Sequence, residues 1–465
     1  MKRLLILGLT IVLLICSGGL YARVAGVERG LKPATTGTVQ QSQIDIRINK
    51  GILGVKIAVP EFQPAATDEK TAALTTLFNQ VLWNDLEYSG VLTLVSRSFY
   101  PLGKFVNPGD ITVDNWTAPA VDAQFISFGS IRVDGGRFSA EARLWDLKNP
   151  QNREVKPPSA LYRTEDSEDG ARLAAHRFAD GIIEAIGGGL KGIARTKIAF
   201  VSDRSGSKEI YVMDYDGNGV HPLTSYKSIT LTPAWSPDGE KIAFTTYRSG
   251  KPDIEILSRV DLRPYTFQRA GGTTTTPAWS PDGGKIAFAT SRDGSDMEIY
   301  VADWNGRNMR RLTVNKAVDI SPAWNPKTGN QIAFVSNRDG TPQLYIMDAE
   351  GTNVQRIIED GGSVSNPAWS PDGQRIAFQW QKSRTSYFDI YMYDLATGKY
   401  VQLTRDAGDN ERPTWSPDGR HLAFESTRRG ASHIYSMLAN GEGEARQLTQ
   451  TGKNTAPAWS GYIDN

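Results

Sequence analysis

Pro277-Ala278-Trp279-Ser280-Pro281-Asp282-Gly283 is one copy of a phrase that the 465-residue chain repeats almost unchanged. Its second half predicts a tight turn, in which proline presets the first central dihedral and glycine takes the positive one. The Pro-x-Trp half recurs with successive tryptophans about 44 to 46 residues apart. The six tryptophans are Trp235, Trp279, Trp324, Trp369, Trp415 and Trp459. This period is typical of a β-propeller with one blade per repeat.

Each repeat predicts four short strands. We expect Pro-Ala-Trp-Ser to start the first strand and Ile286-Ala287-Phe288 to form the second. The pair Ile299-Tyr300 marks the third strand, and Leu312-Thr313 closes the fourth. Four antiparallel strands per unit is the composition of a propeller blade.

The two ends of the repeat region predict how the ring closes. Lys197-Ile198-Ala199-Phe200 begins at a second strand, and the missing first strand stands at Pro457-Ala458-Trp459. A strand from the C-terminal end should therefore complete the blade that begins at Lys197 and hide the last sheet edges. The sequence predicts six blades over 197–460, a linker at 191–196 and a tail at 461–465.

Residues 44–190 predict a smaller α/β domain in front of this all-β propeller. Val55 to Val59 alternates as a strand does, and the apolar residues of Thr71 to Tyr88 have helical spacing. Asp134-Gly135-Gly136 separates two alternating segments and is a strong hairpin signal. The predicted fold class is thus a six-bladed β-propeller with an N-terminal α/β domain.

The first residues predict export. Lys2 and Arg3 precede an apolar run from Leu4 to Ile15 and then small residues, which is the layout of a signal peptide over 1–22. The apolar run is too short to span a bilayer. Residues 23–43 are polar and predict a flexible arm. We therefore expect an exported monomer that is not embedded in the membrane.

Composition argues against several classes of function. The chain has 52 basic and 51 acidic residues, whereas a nucleic-acid-binding protein needs a basic excess. It contains four histidines and no Gly-x-Ser-x-Gly sequence, so we expect no catalytic residue, cofactor or metal. Asp214-Tyr215-Asp216-Gly217 opens like a calcium loop, but Ser225 stands where a bidentate glutamate is required.

A cationic residue follows the phenylalanine of every second strand by four positions. Blade topology predicts that these residues lie on one face of the disc, together with the loops that enter Pro-x-Trp. Each could pair with a neighbouring aspartate, an exposed contact worth about 0–1 kcal/mol. Alternatively, the set forms a rim for docking a partner, where arginine is favoured. The residues are Arg204, Arg248, Arg292, Arg338, Lys382 and Arg428.

The loops that enter Pro-x-Trp vary between repeats, whereas the opposite turns do not. Variable loops on a constant scaffold are how such proteins carry binding specificity. We therefore predict that these loops contact a partner. The predicted contact residues are Thr275, Thr276, Asp319, Ile320, Ser321, Asn366 and Arg412.

The export signal, the α/β domain and the six repeats that end in Pro457-Ala458-Trp459-Ser460 together resemble the TolB family of periplasmic propeller proteins. The resemblance covers nearly the whole mature chain. It implies a non-enzymatic scaffold of the Tol-Pal system, which supports outer-membrane integrity and cell division. The propeller face would bind the peptidoglycan-associated lipoprotein Pal. The segment Ile44-Asp45-Ile46-Arg47-Ile48 would bind the inner-membrane protein TolA, although about 20 additional residues precede it here.

Two other functions stay open at the level of sequence. Exported hydrolases and peptidases also carry propellers of this kind. A glycan-binding propeller would use exposed tryptophans as stacking platforms, yet a large aromatic residue at one strand position of every repeat favours packing between blades.

Overall fold

A computed structural model describes residues 54–463 of the chain. The predicted signal peptide, the predicted arm and the segment Ile44 to Ile48 lie outside the described residues. Between residues 54 and 463, no helix is long and apolar enough to cross a membrane. The described chain folds into an N-terminal α/β domain followed by a β-propeller, as the sequence predicts.

The N-terminal domain is built on one mixed sheet with the strand order β3-β1-β4-β5-β6, and β2 pairs with β4. The hairpin between β4 and β5 turns at Gly135 and Gly136, both with positive φ, which confirms the predicted turn. The edge strand β3 is only two residues long. The strands are β1 (Lys56–Ala58), β2 (Gln63–Pro64), β3 (Thr93–Leu94), β4 (Phe125–Asp134), β5 (Arg137–Asp146) and β6 (Ala160–Glu165).

Two long helices pack together against this sheet and bury the domain's main core. Each starts at a side-chain cap: the Asp68 carboxylate accepts from the Thr71 amide, and the Ser167 hydroxyl accepts from the Gly170 amide. The helices are α1 (Glu69–Tyr88), the short α2 (Val113–Thr117) and α3 (Glu168–Ile186), with 3-10 turns at Arg97–Phe99 and Pro108–Asp110.

The propeller consists of six four-stranded antiparallel sheets, which we number as blades 1 to 6 along the chain. The second strands are β7 (Lys197–Ser202) of blade 6, then β11 (Lys241–Thr246), β15 (Lys285–Thr290), β19 (Gln331–Ser336), β23 (Arg375–Gln381) and β27 (His421–Arg429) of blades 1 to 5. The third strands, in the same order, are β8 (Glu209–Asp214), β12 (Asp253–Ser258), β16 (Glu298–Asp303), β20 (Gln343–Asp348), β24 (Asp389–Asp394) and β28 (Ala431–Leu438). The fourth strands are β9 (His221–Pro222), β13 (Pro264–Tyr265), β17 (Arg310–Arg311), β21 (Gln355–Arg356), β25 (Lys399–Gln402) and β29 (Arg446–Gln447).

The first strands surround the axis, because those of adjacent blades contact one another. They are β10 (Thr230–Trp235), β14 (Thr274–Trp279), β18 (Asp319–Trp324), β22 (Ser363–Trp369), β26 (Asn410–Trp415) and β30 (Asn454–Trp459). In blade 6 the C-terminal β30 pairs with β7, with Trp459 opposite Ile198. This pairing confirms the predicted closure of the ring.

The prediction that Pro-Ala-Trp-Ser starts the first strand is wrong. In blade 2 the strand begins at Thr274 and ends at Trp279, so the repeated phrase forms its second half. The register against the second strand shifts between Thr275 and Ala278, and this bulge accommodates the proline, which has no N–H to donate.

The N-terminal domain packs against one face of the disc, which we call the covered face. This face carries the Ser-Pro-Asp-Gly turns and the turns between third and fourth strands. Arg420 donates from Nη2 to the Gly90 carbonyl over 2.6 Å, and the His421 ring contacts the Tyr88 carbonyl at 2.8 Å. Arg172 pairs with Asp216 on the same face.

A buried cluster fastens the two domains. The Asp85 carboxylate of α1 accepts from the Tyr215 hydroxyl at 2.6 Å and contacts the His176 Nδ1 atom at 2.7 Å. Burial opposes protonation of His176, but the Asp85 charge raises the pKa of the imidazole above its ordinary value. Burial and the same carboxylate raise the pKa of Tyr215 far above its usual range. Three polar groups that would be costly to bury alone therefore stabilise one another across the interface.

Candidate partner-binding face of the propeller

The opposite face, which we call the open face, carries the loops that enter the first strands and the loops between second and third strands. This arrangement follows from the antiparallel order of each blade, in which the first strand starts where the second ends. Thr274 lies opposite Thr290 in blade 2, for example, and Arg292 follows two residues later. The predicted cations and the predicted contact loops therefore lie on one face, away from the N-terminal domain.

The six repeated tryptophans are packing residues between blades. Each is buried, with at most 9% of its surface exposed. The indole of Trp279 donates to the Ala234 carbonyl of the preceding blade at 3.1 Å, and the indole of Trp235 donates to the Ala458 carbonyl at 3.0 Å. Such rings offer no face to a sugar, so the glycan-binding alternative loses the feature that motivated it.

Three of the six cations are half-buried and are held by side chains of their own blade. Arg338 donates from Nε to the Ser336 hydroxyl at 2.9 Å and from Nη2 to the Asp319 carboxylate at 3.0 Å. Its guanidinium group also stacks on the Tyr345 ring, 4.9 Å from the centroid. Asp319 is fully buried, so it positions Arg338 and offers no surface of its own.

Blades 5 and 6 repeat this arrangement with an asparagine in place of the aspartate. Arg428 bonds to the hydroxyl of Ser426 and to the side-chain oxygen of Asn410, both at 3.0 Å. Arg204 bonds to Ser202 at 3.0 Å and to Asn454 at 3.1 Å. Fixed guanidinium groups of this kind present a defined charge to a partner at a small further entropy cost.

The other three cations point away from the first strands. The Arg248 side chain is 57% exposed and approaches Glu255 at 3.7 Å. The Arg292 side chain is 34% exposed and contacts Asp293 at 3.3 Å, and Lys382 lies over the Trp380 ring. The predicted pairing with a neighbouring aspartate therefore describes Arg292, whereas Arg248 and Arg338 use other carboxylates.

One sequence feature that was not predicted separates the two groups of cations. In blades 3, 5 and 6 the first strand begins with Asp or Asn, and this residue pairs with a serine of the second strand. In these blades the arginine folds inward. In blades 1, 2 and 4 the equivalent residue is Thr230, Thr274 or Val364, whose side chain has no carboxylate or amide, and the cation faces outward. The two residues that distinguish the groups are distant in sequence, but they lie opposite each other where the first and second strands pair.

A ring of left-handed residues surrounds the axis at the bulges. The residue before each Pro-x-Trp proline has φ between 50° and 53°, although none of the six is glycine. Such a conformation costs about 1–3 kcal/mol per residue, and strain of this kind clusters at functional sites. The six residues are Thr232, Thr276, Ser321, Asn366, Arg412 and Ala456.

Hydrogen bonds between blades hold parts of this ring. The amide of Thr276 donates to the Thr245 hydroxyl at 3.1 Å, and the amide of Arg412 donates to the Gln379 side chain at 2.9 Å. Four of the predicted contact residues are members of the left-handed ring, namely Thr276, Ser321, Asn366 and Arg412. Of the remaining ones, Thr275 is buried and Ile320 is half-buried beside the ring.

Two carboxylates face each other beside the ring in blade 5. Glu411 lies directly opposite Glu425 in the register of β26 and β27. Glu411 accepts from the Gln379 amide at 2.9 Å, and Glu425 accepts from the Ala456 amide at 2.6 Å. Burial raises the pKa of Glu411 to about 7, and repulsion from Glu425 contributes to the rise. Glu411 therefore remains partly protonated at a pH where an ordinary glutamate is fully ionised.

Two family models match this chain, and together they cover most of it. A family model described as the TolB beta propeller domain matches residues 184–365 and 357–464, and one described as the TolB amino-terminal domain matches residues 44–153. The chain belongs to the TolB family.

Curated TolB relatives align with part of the chain. The Tol-Pal system protein TolB of Desulfosudis oleivorans is 36% identical over 199 residues, which cover 42% of this chain and 43% of that protein. The protein of the same name from Geobacter sulfurreducens is 38% identical over 170 residues, 37% of each chain. The chain thus matches less than half the length of either relative.

A solved TolB structure shares the fold over nearly its whole length. TolB from Acinetobacter baumannii superposes with a TM-score of 0.73 and covers 89% of this chain and 98% of its own. The sequence identity is 23%, so this likeness supports the architecture alone.

Proposed function

We propose that this chain is a non-enzymatic scaffold of the Tol-Pal system in the periplasm. Its open face binds a Pal-type lipoprotein, and its segment Ile44 to Ile48 binds a TolA-type inner-membrane protein. This role supports outer-membrane integrity and cell division. Membership of the TolB family and similarity to proteins named as Tol-Pal system TolB support the assignment.

The placement of the N-terminal domain carries the proposal. That domain occupies the covered face through Asp85, Tyr88 and Gly90. These contacts, within residues 54–463, all lie on the covered face, and the open face combines a strained ring, outward cations and variable loops. Arginines such as Arg248 and Arg292 at the edge of such a face are suited to contact a partner.

The test of the face is a calorimetric titration of the mature chain with the soluble domain of a Pal-type lipoprotein from the same organism. Saturable one-to-one binding is the expected result. Absence of binding by a sample shown to be folded would contradict the proposal.

A deletion tests the second partner separately. We take 23–43 as the arm, 44–190 as the N-terminal domain and 197–460 as the propeller. Deleting residues 23–50 should abolish binding of a TolA-type domain, because the proposed segment lies within that range. Binding of the Pal-type domain should persist, since the open face is untouched. Retained TolA binding would remove the N-terminal segment from the proposal.

A further inference from the structure

A groove of about 320 Å³ lies between the connection from blade 4 to blade 5 and the second and third strands of blade 5. It begins at the loop between β28 and β29 and ends near the open face. Leu403 and Met437 contribute apolar surface, and Glu444 lies toward the covered-face end. At the open-face end, three cationic side chains line the groove. They are Arg405, Arg428 and Arg429.

Arg428 lacks a charged partner in this groove. Its guanidinium group bonds to the neutral side chains of Ser426 and Asn410 and stacks on the Tyr435 ring at 4.5 Å. The Asp389 carboxylate is reached only indirectly, because it accepts from the Asn410 amide at 3.1 Å. Burial lowers the pKa of Arg428 and repulsion from Arg429 adds to the fall, while the attraction of Asp389 does not offset them.

Blade 3 provides the internal comparison. There Arg338 occupies the equivalent position, and the Asp319 carboxylate neutralises it at 3.0 Å. Among residues 54–463, by contrast, no carboxylate forms a salt bridge with Arg405, Arg428 or Arg429. A partly desolvated cation gains most from a charge-assisted hydrogen bond to an anion. The open-face end of the groove therefore holds three cations that no carboxylate of residues 54–463 pairs with directly.

The second and third strands of blade 5 are longer than those of the other blades, so their hairpin extends further on the open face. β27 has nine residues and β28 has eight, whereas the corresponding strands of blade 2 have six. The hairpin turns at Gly430, where φ is 95°, and it places Arg429 at its tip. A protein that docks on the open face would meet this hairpin.

We propose that the groove binds an extended acidic segment of the protein that docks on the open face, with carboxylates against Arg405, Arg428 and Arg429. Apolar side chains of the segment lie along Leu403 and Met437. This assignment deepens the proposed function and depends on it for the identity of the partner. The mixed apolar and cationic lining suits a peptide better than an isolated phosphate, and Glu444 would repel a continuous polyanion.

The first experiment uses a short acetylated peptide of alternating glutamate and leucine, titrated into the mature chain. The matching lysine–leucine peptide serves as the ligand control. The double variant Arg405→Glu/Arg429→Glu should bind the acidic peptide at least about tenfold more weakly than the wild type. The double variant Lys251→Glu/Lys316→Glu has the same change in net charge elsewhere on the open face. Its affinity should stay within about twofold of the wild type.

Several outcomes would contradict the proposal that the groove binds an acidic segment. Absence of binding to the wild type would do so, as would equal losses in the two double variants. If inorganic phosphate competes for the groove as effectively as the peptide does, the groove is a phosphate site and not a site for an acidic segment.

The Pal-type domain separates this proposal from the proposed function. If it binds the wild type and the Arg405→Glu/Arg429→Glu variant equally well, the groove proposal fails and the scaffold role stands. If it binds neither, the scaffold role fails, and the peptide titration alone decides the groove.

Discussion

The Tyr215 hydroxyl of the propeller donates a 2.6 Å hydrogen bond to the Asp85 carboxylate of the N-terminal domain. His176 contacts the other oxygen of the same carboxylate at 2.7 Å, and all three side chains are buried. A buried carboxylate with two partners fixes their relative positions, because a shift of either domain would leave it unsatisfied. This relationship holds the N-terminal domain on one face of the disc, and the proposed partner would bind the opposite face.

Asp85→Asn should therefore destabilise the protein by about 2 kcal/mol, since an amide cannot compensate His176 and accept fully from Tyr215. Chemical denaturation measures the loss. Glu87→Gln, on the exposed side of the same helix, is the control and should change stability by less than about 0.5 kcal/mol. Equal effects of the two substitutions would show that the cluster does not fasten the domains.

Replacements of Asp319 test how Arg338 is held. Asp319→Asn should cost less than Asp319→Thr, because asparagine holds the equivalent arginines in blades 5 and 6. For Asp319→Thr we expect a loss of about 1–3 kcal/mol, the cost of leaving a charged donor unsatisfied. The measurement is the unfolding free energy of both variants, and a larger loss for Asn than for Thr would contradict the assignment.

The pair Glu411 and Glu425 predicts a pH dependence of stability. The pKa of Glu411 is raised from 4.5 to about 7 in the folded state, so the folded state binds more protons than the unfolded state between these values. Stability from this group is therefore lost as pH rises from about 4.5 to 7. Glu411→Gln should make the protein more stable than the wild type at pH 8 and bring no such gain at pH 4. A gain of equal size at both pH values would mean that the pair does not share a proton.

The left-handed ring can be tested at Ser321, whose φ is 53°. Ser321→Gly should stabilise the protein by up to about 1 kcal/mol, because glycine adopts this conformation without strain. Ser365→Gly in the neighbouring blade is the control at an ordinary strand position and should cost about 0.5–1 kcal/mol. Thermal unfolding distinguishes the two, and destabilisation by both would indicate that Ser321 is not strained.

Local repetition made the propeller predictable. The Pro-x-Trp phrase, the Ser-Pro-Asp-Gly turn and the displaced first strand at Pro457 each recur or complete a pattern within the chain. The number of blades and the closure followed from those features. The start of each first strand did not, because the bulge before Trp279 interrupts the alternation that marks a strand.

Features that depend on register or on distant residues escaped prediction. Asp85 and Tyr215 are 130 residues apart, and neither belongs to a recognisable motif. Arg338 and Asp319 meet only because their strands pair in a fixed register. The six cations look alike in sequence, yet the first-strand residue five positions before the repeated tryptophan determines which of them face outward.

The central claim is that the open face binds a Pal-type lipoprotein through its outward cations. The most direct measurement is a calorimetric titration of the Pal-type domain into the wild type and into Arg248→Glu/Arg292→Glu, with circular dichroism to confirm that both are folded. These two side chains lie outside the network that holds Arg204, Arg338 and Arg428. We predict saturable one-to-one binding to the wild type and about tenfold weaker binding to the variant. Unchanged affinity in a folded variant would contradict the account.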